Sequence, residues 1–547
     1  MSFERISSDD MQAPPMNEAS RSMRRSARDA AVVMGATFAS RLLGFVKMAV
    51  IGAVFGAGAR ADVLHLVFVI PNNLRKLLAE GALSSAFIPV LSERIVRDRE
   101  KDGARRLIRT ILTMQGIVLI PLIVASIIWS GPVISVILDF PDAPRAELAA
   151  SLFRYIIPYL FFISVAAVLV GTLNSHERFL VPALAPLAFS ICVIGALVLL
   201  SGRLDVYAMA AGVLAGGALQ LLILVPQFRR LGYRFTPSFR FRNPDMVRVM
   251  RQWLPVVATA SIYTINQQVA VRFASGLEPG SGSAMQNALV FWQLPFGLFS
   301  ASVTTVLFPR MSREIAERNT AGVRNTLESG FLYLIALLVP AAVFLGLYGE
   351  PTISVALKSG AFTSADAQLA GAVLAGYCLG LLSVGAFNFF QRFFYARSEY
   401  RVPLYTAFGV LVLDVALTIW LISTPLRVIG LAIAHSAAFT VGLVVLIVLA
   451  VRRVGMFDPS RLLTEVGRVC AVSGVLAIVL LVIKRVDGDF WVVGRTFGTF
   501  FAVTGIAAAC GGLVVGLYWI LDVEVVTVFL RRRLGRGTPR KPSGLDR

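Results

Sequence analysis

Residues 40–92 read SRLLGFVKMAVIGAVFGAGARADVLHLVFVIPNNLRKLLAEGALSSAFIPVLS. Two apolar stretches flank Gly56-Ala57-Gly58, and each approaches or exceeds the about 20 residues that a membrane-crossing helix needs. Four basic residues lie deep inside them: Arg41, Lys47, Arg75 and Lys76. A charge at the bilayer centre costs about 2.5–3.5 kcal/mol, so these four must be paired or line a polar cavity. Helical periodicity points to the cavity. At about 100° per residue, Asp62, His65, Asn72, Asn73, Arg75, Lys76 and Glu80 fall on one side of the second helix. Lys76 and Glu80 are four apart and can pair. Arg75 has no acidic neighbour of that kind in its own helix.

The rest of the chain has the same character. Of 547 residues, 56% are hydrophobic and 15% charged, against about 25% charged in soluble domains. Stretches such as 111–138, 328–349 and 469–483 are almost wholly apolar. Alternating ten-residue strands are absent, which excludes a barrel and leaves helices. The chain therefore reads as an all-α polytopic membrane protein of about 14 transmembrane helices. The second span (60–92) is the least hydrophobic. Basic residues concentrate in the N-terminal tail, 93–109, 228–251, 310–324, 452–468 and the tail from Arg531, whereas 139–147 and 276–283 are poor in them. By the positive-inside rule the basic side is cytoplasmic, and both termini face it. The net charge of +20 is thus a topology signal rather than a sign of nucleic-acid binding. Cys192, Cys378, Cys470 and Cys510 lie in apolar stretches without paired spacing, so neither a disulfide framework nor a zinc site is implied.

The chain repeats itself at an offset of about 220 residues. Pro89-Val90-Leu91-Ser92 recurs as Pro309-Arg310-Met311-Ser312, Ser135-Val136-Ile137-Leu138 as Ser354-Val355-Ala356-Leu357, and Val181-Pro182 as Val402-Pro403. Two six-helix lobes follow, 28–227 and 245–451, with a cytoplasmic linker at 228–244. An even helix count makes them a parallel pseudo-repeat about an axis along the membrane normal. Two extra C-terminal helices fill 452–520. Residues 1–27 are expected to form a disordered cytoplasmic tail and 521–547 a basic one.

The second lobe differs in chemistry. The repeat offset sets Ser261 opposite Arg41 and Gln267 opposite Lys47, and the next helix adds Gln286, Asn287 and Gln293. One wall of the cavity is cationic, the other neutral and hydrogen-bonding. Guanidinium groups bind phosphate bidentately, so a ligand with an anionic head and an uncharged polar extension suits the pair of walls. Arg154, Arg272 and Arg392 lie near span ends, where long side chains can snorkel to the interface. Asp414 lies mid-span with Thr418 on its face, and Asn388 comes from the preceding helix. Such oxygen ligands suit Na⁺ or a proton, although pairing of Asp414 with Arg392 is an equal alternative. No nucleophile–base pair, metal-ligand cluster or nucleotide loop is evident, so the chain reads as a non-enzyme that needs neither cofactor nor ATP.

The 40–92 stretch resembles the lipid II flippase (MurJ, formerly MviN) family of the multidrug/oligosaccharidyl-lipid/polysaccharide exporter superfamily. The resemblance rests on S-R-x-L-G-F, F-G-A-G-x-x-x-D, P-N-x-L-R-K and A-E-G-A-x-S-x-A-F-I-P, and continues weakly through 150–227 and FFYARSEYRVP at 393–403. It implies transport of the lipid-linked peptidoglycan precursor, lipid II, across the bacterial cytoplasmic (inner) membrane by alternating access, among membrane lipids and beside cell-wall synthesis enzymes. It also implies that Arg41, Lys47 and Arg75 are the cavity positions that bind the pyrophosphate, to which the polar stripe of the second helix adds Lys76. Asp62 and Glu80 then match acidic positions, and 463–520 supplies a groove for the polyprenyl tail. The chain departs from the family pattern at Met48, where an acidic residue is usual, and at Leu289, Val290 and Gln293, where an Asp-Arg pair and a Glu are usual. Arg272 is the residue expected to compensate for the missing arginine. The competing expectations are another polyprenyl-pyrophosphate glycan as substrate, a cation-coupled drug antiporter, and a non-transporting scaffold. Membrane potential, Na⁺ or H⁺ would reset the carrier.

Overall fold

The computed structural model describes residues 16–78, 82–97, 102–487 and 496–525. Among them every regular element is helical. The first lobe contains α1 (Met16–Phe55), α2 (Ala59–Leu78), α3 (Ala82–Arg97), α4 (Asp102–Ile128), α5 (Ser130–Ile137), α6 (Ala143–Ile156), α7 (Tyr159–Ser175), α8 (Leu180–Leu204) and α9 (Tyr207–Arg230). The second contains α10 (Pro244–Ser275), α11 (Ser281–Pro295), α12 (Ala301–Ala316), α13 (Thr320–Leu357), α14 (Ser364–Cys378), α15 (Leu381–Ala396), α16 (Arg401–Ile422) and α17 (Arg427–Val454). Two further helices follow, α18 (Pro459–Asp487) and α19 (Phe497–Ile520).

The duplication is visible in the irregularities as much as in the helices. The break between α6 and α7 at Pro158 is matched by the break between α14 and α15 at Gly380. A π-helical turn, Phe296–Ser300, lies between α11 and α12. Glu177 (φ 56°) after α7 corresponds to Ser398 (φ 60°) after α15, and Asp205 (φ 49°) after α8 to Arg427 (φ 46°) at the start of α17. Non-glycine residues enter this left-handed region rarely, so its recurrence at matching points marks two copies of one fold. Packing repeats likewise: α8 lies on α9 as α16 lies on α17, and α7 on α9 as α15 on α17. The extra pair is fixed to the second lobe, α18 along α13 and α19 against both.

Where they are described, the sequence-assigned segments are helical, but eleven of the described helices are long and apolar enough to cross a membrane, twelve if the bent pair α14–α15 is one span. The two segments that fall short are 60–92 and 245–275, because both spend their length on polar residues. Two boundaries also move. Residues 16–27 are the first turns of α1 rather than a disordered tail, since no Pro or Gly interrupts 16–34 and Ala, Arg, Met and Glu favour helix; residues 1–15 lie outside the described set. The linker is 231–243 and is packed in place: Ser238 donates its N–H to Thr113 Oγ1 at 2.8 Å, and Tyr233 shares a hydrogen bond with His176 Nε2 at 2.9 Å. Burial pushes the Tyr233 phenol up to about 12. Of the 521–547 tail, 521–525 are described.

The ends of the bundle differ. At the end carrying the Arg-rich loops, here the basic end, the lobes meet where α3 touches α10. Arg248 donates to Glu93 at 2.7 Å and Arg94 pairs with Asp245 at 2.8 Å. The bonded Arg248 guanidinium holds the Glu93 carboxyl below its usual range. At the far end Ala361 donates its N–H to Ala53 O at 2.9 Å. Gly360 is required there: its φ is +58°, and a Cβ would lie 2.1 Å from Ala53 O.

Candidate functional site

The polar side of α2 faces the seam between the lobes and divides into three parts. Nearest the far end, Asp62 is 1% exposed and accepts the N–H groups of Gly280 (2.8 Å) and Ser283 (2.6 Å) at the start of α11. The first N–H groups of a helix lack intrahelical partners and carry partial positive charge. Asp62 is thus a cap supplied by one lobe to a helix of the other. In the middle, Lys47 of α1 places Nζ 4.9 Å from the Phe68 ring centre, within electrostatic reach of Arg75 and His65. Toward the basic end, Arg75 donates through Nε and Nη2 to Asn72 Oδ1 at 3.2 and 2.9 Å. Lys76 donates to Gln267 Oε1 at 3.2 Å, and Asn73 to Gln268 Oε1 at 3.3 Å. These last two bonds join the lobes.

Arg41 is exposed on α1. Its guanidinium lies against the π-helical turn, 3.1 Å from where a Cβ on Gly297 would stand, and the glycine makes that approach possible. Lys47, Arg75 and Lys76 thus stand along the seam of α1, α2 and α10, and Arg41 stands against the α11–α12 turn. Such a set binds a polyanion by point charge and by guanidinium fork.

Several expected site residues lie elsewhere. Arg272 does not join the cationic set: it donates to Ser135 O (3.0 Å) and Val136 O (2.6 Å) and pairs with Asp139 at 3.3 Å, fastening α10 to the end of α5. Its position one turn from the end of α10 sets it too far along the axis to reach Arg75. Asn287 is buried in α11 and Gln293 exposed on it; among the described residues neither bonds to α1 or α2. Glu80 lies outside the described residues. Asn388 does not reach Asp414: its Nδ2 is bonded to Val384 O, one turn back on α15, at 2.9 Å. Asp414 instead meets Asn266 Nδ2 (3.0 Å), His435 Nδ1 (3.1 Å) and Thr418 Oγ1 (3.4 Å). His435, Gln268 and Gly297 were not expected in these roles. For His435 the signal was available, an ionisable side chain inside an apolar span.

On another face of α1 lies a cavity of about 810 Å³, lined by Phe45, Phe291, Leu337, Phe344, Phe500 and Val515 among other mainly apolar residues. Phe45 and Phe291 meet edge to face, centroids 5.3 Å apart, on the lobe seam. The cavity runs from α1 across α13 to α18 and α19, so the helix that carries Arg41 and Lys47 also borders an apolar groove.

The sequence profile described as "Lipid II flippase MurJ" matches residues 51–501. A probable lipid II flippase MurJ of Borreliella burgdorferi is 30% identical over 502 residues, covering 92% of this chain and 98% of its own. One of Rhizobium meliloti is 31% identical over 468 residues, 83% of this chain and 85% of its own. Among solved structures, "Lipid II flippase MurJ, inward closed conformation" superposes with a TM-score of 0.75 at 23% identity, over 92% of this chain and 100% of that one. An inward-facing multidrug resistance MATE family transporter of the MOP superfamily reaches 0.59 at 18% identity, over 76% and 94%. Both show the shared fold.

Proposed function

The chain belongs to the lipid II flippase MurJ family, and from that premise we propose that it moves lipid II from the inner to the outer leaflet of the bacterial cytoplasmic membrane by alternating access. The observation that carries this is the pairing of pocket and groove across α1. Arg41, Lys47, Arg75 and Lys76 offer an anion site, and the groove of about 810 Å³ beside α18 and α19 is mainly apolar. An amphiphile with a pyrophosphate head and a polyprenyl tail satisfies both at once. The head group enters from the basic, cytoplasmic side, on which both termini lie, and its phosphates take Lys76 from Gln267. That exchange removes one of the bonds between α2 and α10 and favours rearrangement of the lobes. Opening on the other side requires Asp62 to release α11 and Ala53 to release Ala361. The return step draws on membrane potential or a coupled cation, with about 2.3 kcal/mol per charge per 100 mV available from potential, and not on ATP.

A second reading has one observation in its favour. Helix α11 carries no basic residue, so lobe two adds no cation to the pocket from this helix, and a different polyprenyl-pyrophosphate glycan would be accepted as well. Both readings are tested by expressing the chain in a bacterium depleted of its own lipid II flippase, with Arg75→Ala and Arg41→Ala variants at matched expression. Growth restored by the wild type and lost in both variants supports lipid II as substrate and the pocket as its site. No rescue by well-expressed wild type points to another glycan, and rescue by all three overturns the pocket's role.

A further inference from the structure

The strap between α9 and α10 contains Phe235 and then Phe239-Arg240-Phe241-Arg242, aromatic and basic residues in turn, and the transport scheme above gives it no task. It lies against the flank of α4, where the Ser238 N–H donates to Thr113 Oγ1 at 2.8 Å and the Ser238 and Thr110 hydroxyls share a bond at 3.0 Å. One turn further along α4, about 6 Å at about 1.5 Å per residue, Ile117 and Val118 are exposed. On a helix long and apolar enough to cross a membrane, such residues face lipid chains. The strap is therefore held at the border between the apolar band and the basic end. Its Phe239 ring is 68% exposed and meets Phe241 edge to face, centroids 6.3 Å apart. Exposed rings alternating with arginines suit the layer where head groups meet acyl chains.

Beside these rings the strap forms one wall of a cavity of about 730 Å³, with α3, α4 and the start of α10 as the others. Arg94, Arg106, Arg240 and Arg242 line it against one carboxylate, Asp245. That carboxylate is already paired with Arg94, at 2.8 Å. Asp102, at the start of α4, pairs with Arg105 at 3.5 Å. Arg106 donates through Nε to Asp102 O at 3.2 Å, a carbonyl that leaves its charge uncompensated. Among the described residues, Arg106, Arg240 and Arg242 enter no ion pair. Three gathered cations repel one another, and a bound anion relieves that repulsion. Guanidinium forks match phosphate oxygens bidentately. The cavity shares no lining residue with the set Arg41, Lys47, Arg75 and Lys76.

We propose that this cavity binds the phosphate of an anionic phospholipid from the leaflet on the basic side, with Arg106, Arg240 and Arg242 on the head group and Phe239 beside the start of the chains. A soluble phosphate would use the arginines and leave the rings in water, whereas a lipid uses both. Basic pockets between membrane helices take such head groups. The consequence is mechanical. The strap runs directly into α10, whose first turns hold α3 through Asp245 and Arg248. A phosphate shared between α4 and the strap fixes where α10 begins, and so favours the arrangement in which α3 and α10 are in contact. None of this requires that the chain move lipid II.

A photo-reactive benzophenone amino acid in place of Phe239, in the full chain in nanodiscs, reads the occupant directly. Phosphatidylglycerol and phosphatidylcholine are offered in equal amounts; both carry a phosphate, and they differ in net charge. Phosphatidylglycerol is expected to be captured in excess, and Arg240→Gln with Arg242→Gln should lower the capture ratio about thirty-fold, about fivefold for each arginine. Arg229→Gln with Arg230→Gln removes the same charge from exposed arginines outside the cavity and should leave the ratio unchanged. Equal capture of the two lipids, a ratio unmoved by the cavity variant, or an equal fall in both variants overturns the site. Displacement of phosphatidylglycerol by millimolar inorganic phosphate would assign the cavity to a soluble anion and overturn the lipid. Preferential capture of added lipid II would put the cavity on the substrate's route and overturn it as a separate site. Nitroxide labels at Val96 of α3 and Val247 of α10, both exposed, test the consequence in a chain whose own cysteines have been replaced. The short-distance population should be larger in phosphatidylglycerol than in phosphatidylcholine nanodiscs, and distributions identical in the two overturn the hold on α10.

Discussion

Replacing Asp62 by Asn should loosen the far end of the molecule. The carboxylate accepts two N–H groups at the start of α11, from Gly280 and Ser283, and does so across the lobe seam, so both bonds exist only while that end is closed. A hydrogen bond to a charged group contributes about 1.5–3 kcal/mol and a neutral one about 1 kcal/mol. Asn keeps one acceptor, reduces that bond to the neutral value, and turns an NH₂ toward the second donor. The gross loss is about 2–5 kcal/mol. The smaller cost of burying a neutral amide offsets part of this and leaves about 2 kcal/mol. All of it falls on the closed state, because a population shift follows differential interaction energy. At about 1.4 kcal/mol per factor of ten, the closed-to-open ratio at that end should fall about thirty-fold. Nitroxide labels at Arg60 and Glu278, both exposed near the seam, read the separation in a chain whose four cysteines have been replaced. Asp62→Asn should add a longer-distance population that lipid II addition then redistributes. A distance distribution identical to that of the parent would refute the assignment of Asp62 as a clasp between lobes.

Three further outcomes are expected. Gly297→Ala puts a methyl group 3.1 Å from the resting Arg41 guanidinium; it should slow lipid II movement less than Arg41→Ala does while leaving the melting temperature in detergent unchanged. Arg461 bonds Glu328 of α13 at 2.9 Å and Glu524 at 2.7 Å, and Glu328 is 2% exposed. Arg461→Ala strands a buried carboxylate, so thermal unfolding should show a loss of about 3–5 kcal/mol, with Glu328→Gln restoring part of it. The Glu93–Arg248 contact has a sign fixed by its lowered carboxyl pKa: its stabilisation is present above the ordinary glutamate value and lost as pH falls through the lowered one. Labels across α3 and α10 should therefore hold their distance at neutral pH and separate only in acid below the usual carboxylate range, and Glu93→Gln should abolish that acid transition.

Much of the architecture is set by local composition. A run of about 20 apolar residues has few stable alternatives to a helix in lipid, which is why each assigned segment is helical and the lobe boundaries fall near 228 and 245. The duplication was legible in short matches such as Val181-Pro182 and Val402-Pro403 because both copies end a helix with the same backbone turn, as Glu177 and Ser398 show. The polar stripe on α2 was legible because helical periodicity alone puts Asp62, Asn72, Arg75 and Lys76 on one side. What each polar group meets was not. Asp62 caps a helix of the other lobe, Arg272 is spent on the end of α5, Asn388 folds back on its own helix, and His435 takes the place beside Asp414. Periodicity gives a residue's angle around its own axis, but contact between helices also needs the axial offset and rotation of the neighbour. Those are decided by how two lobes and many side chains pack at once, so the sequence by itself determined which helices are polar and on which side, and only the tertiary structure decided which charges stand along the seam and which are spent fastening one helix to another.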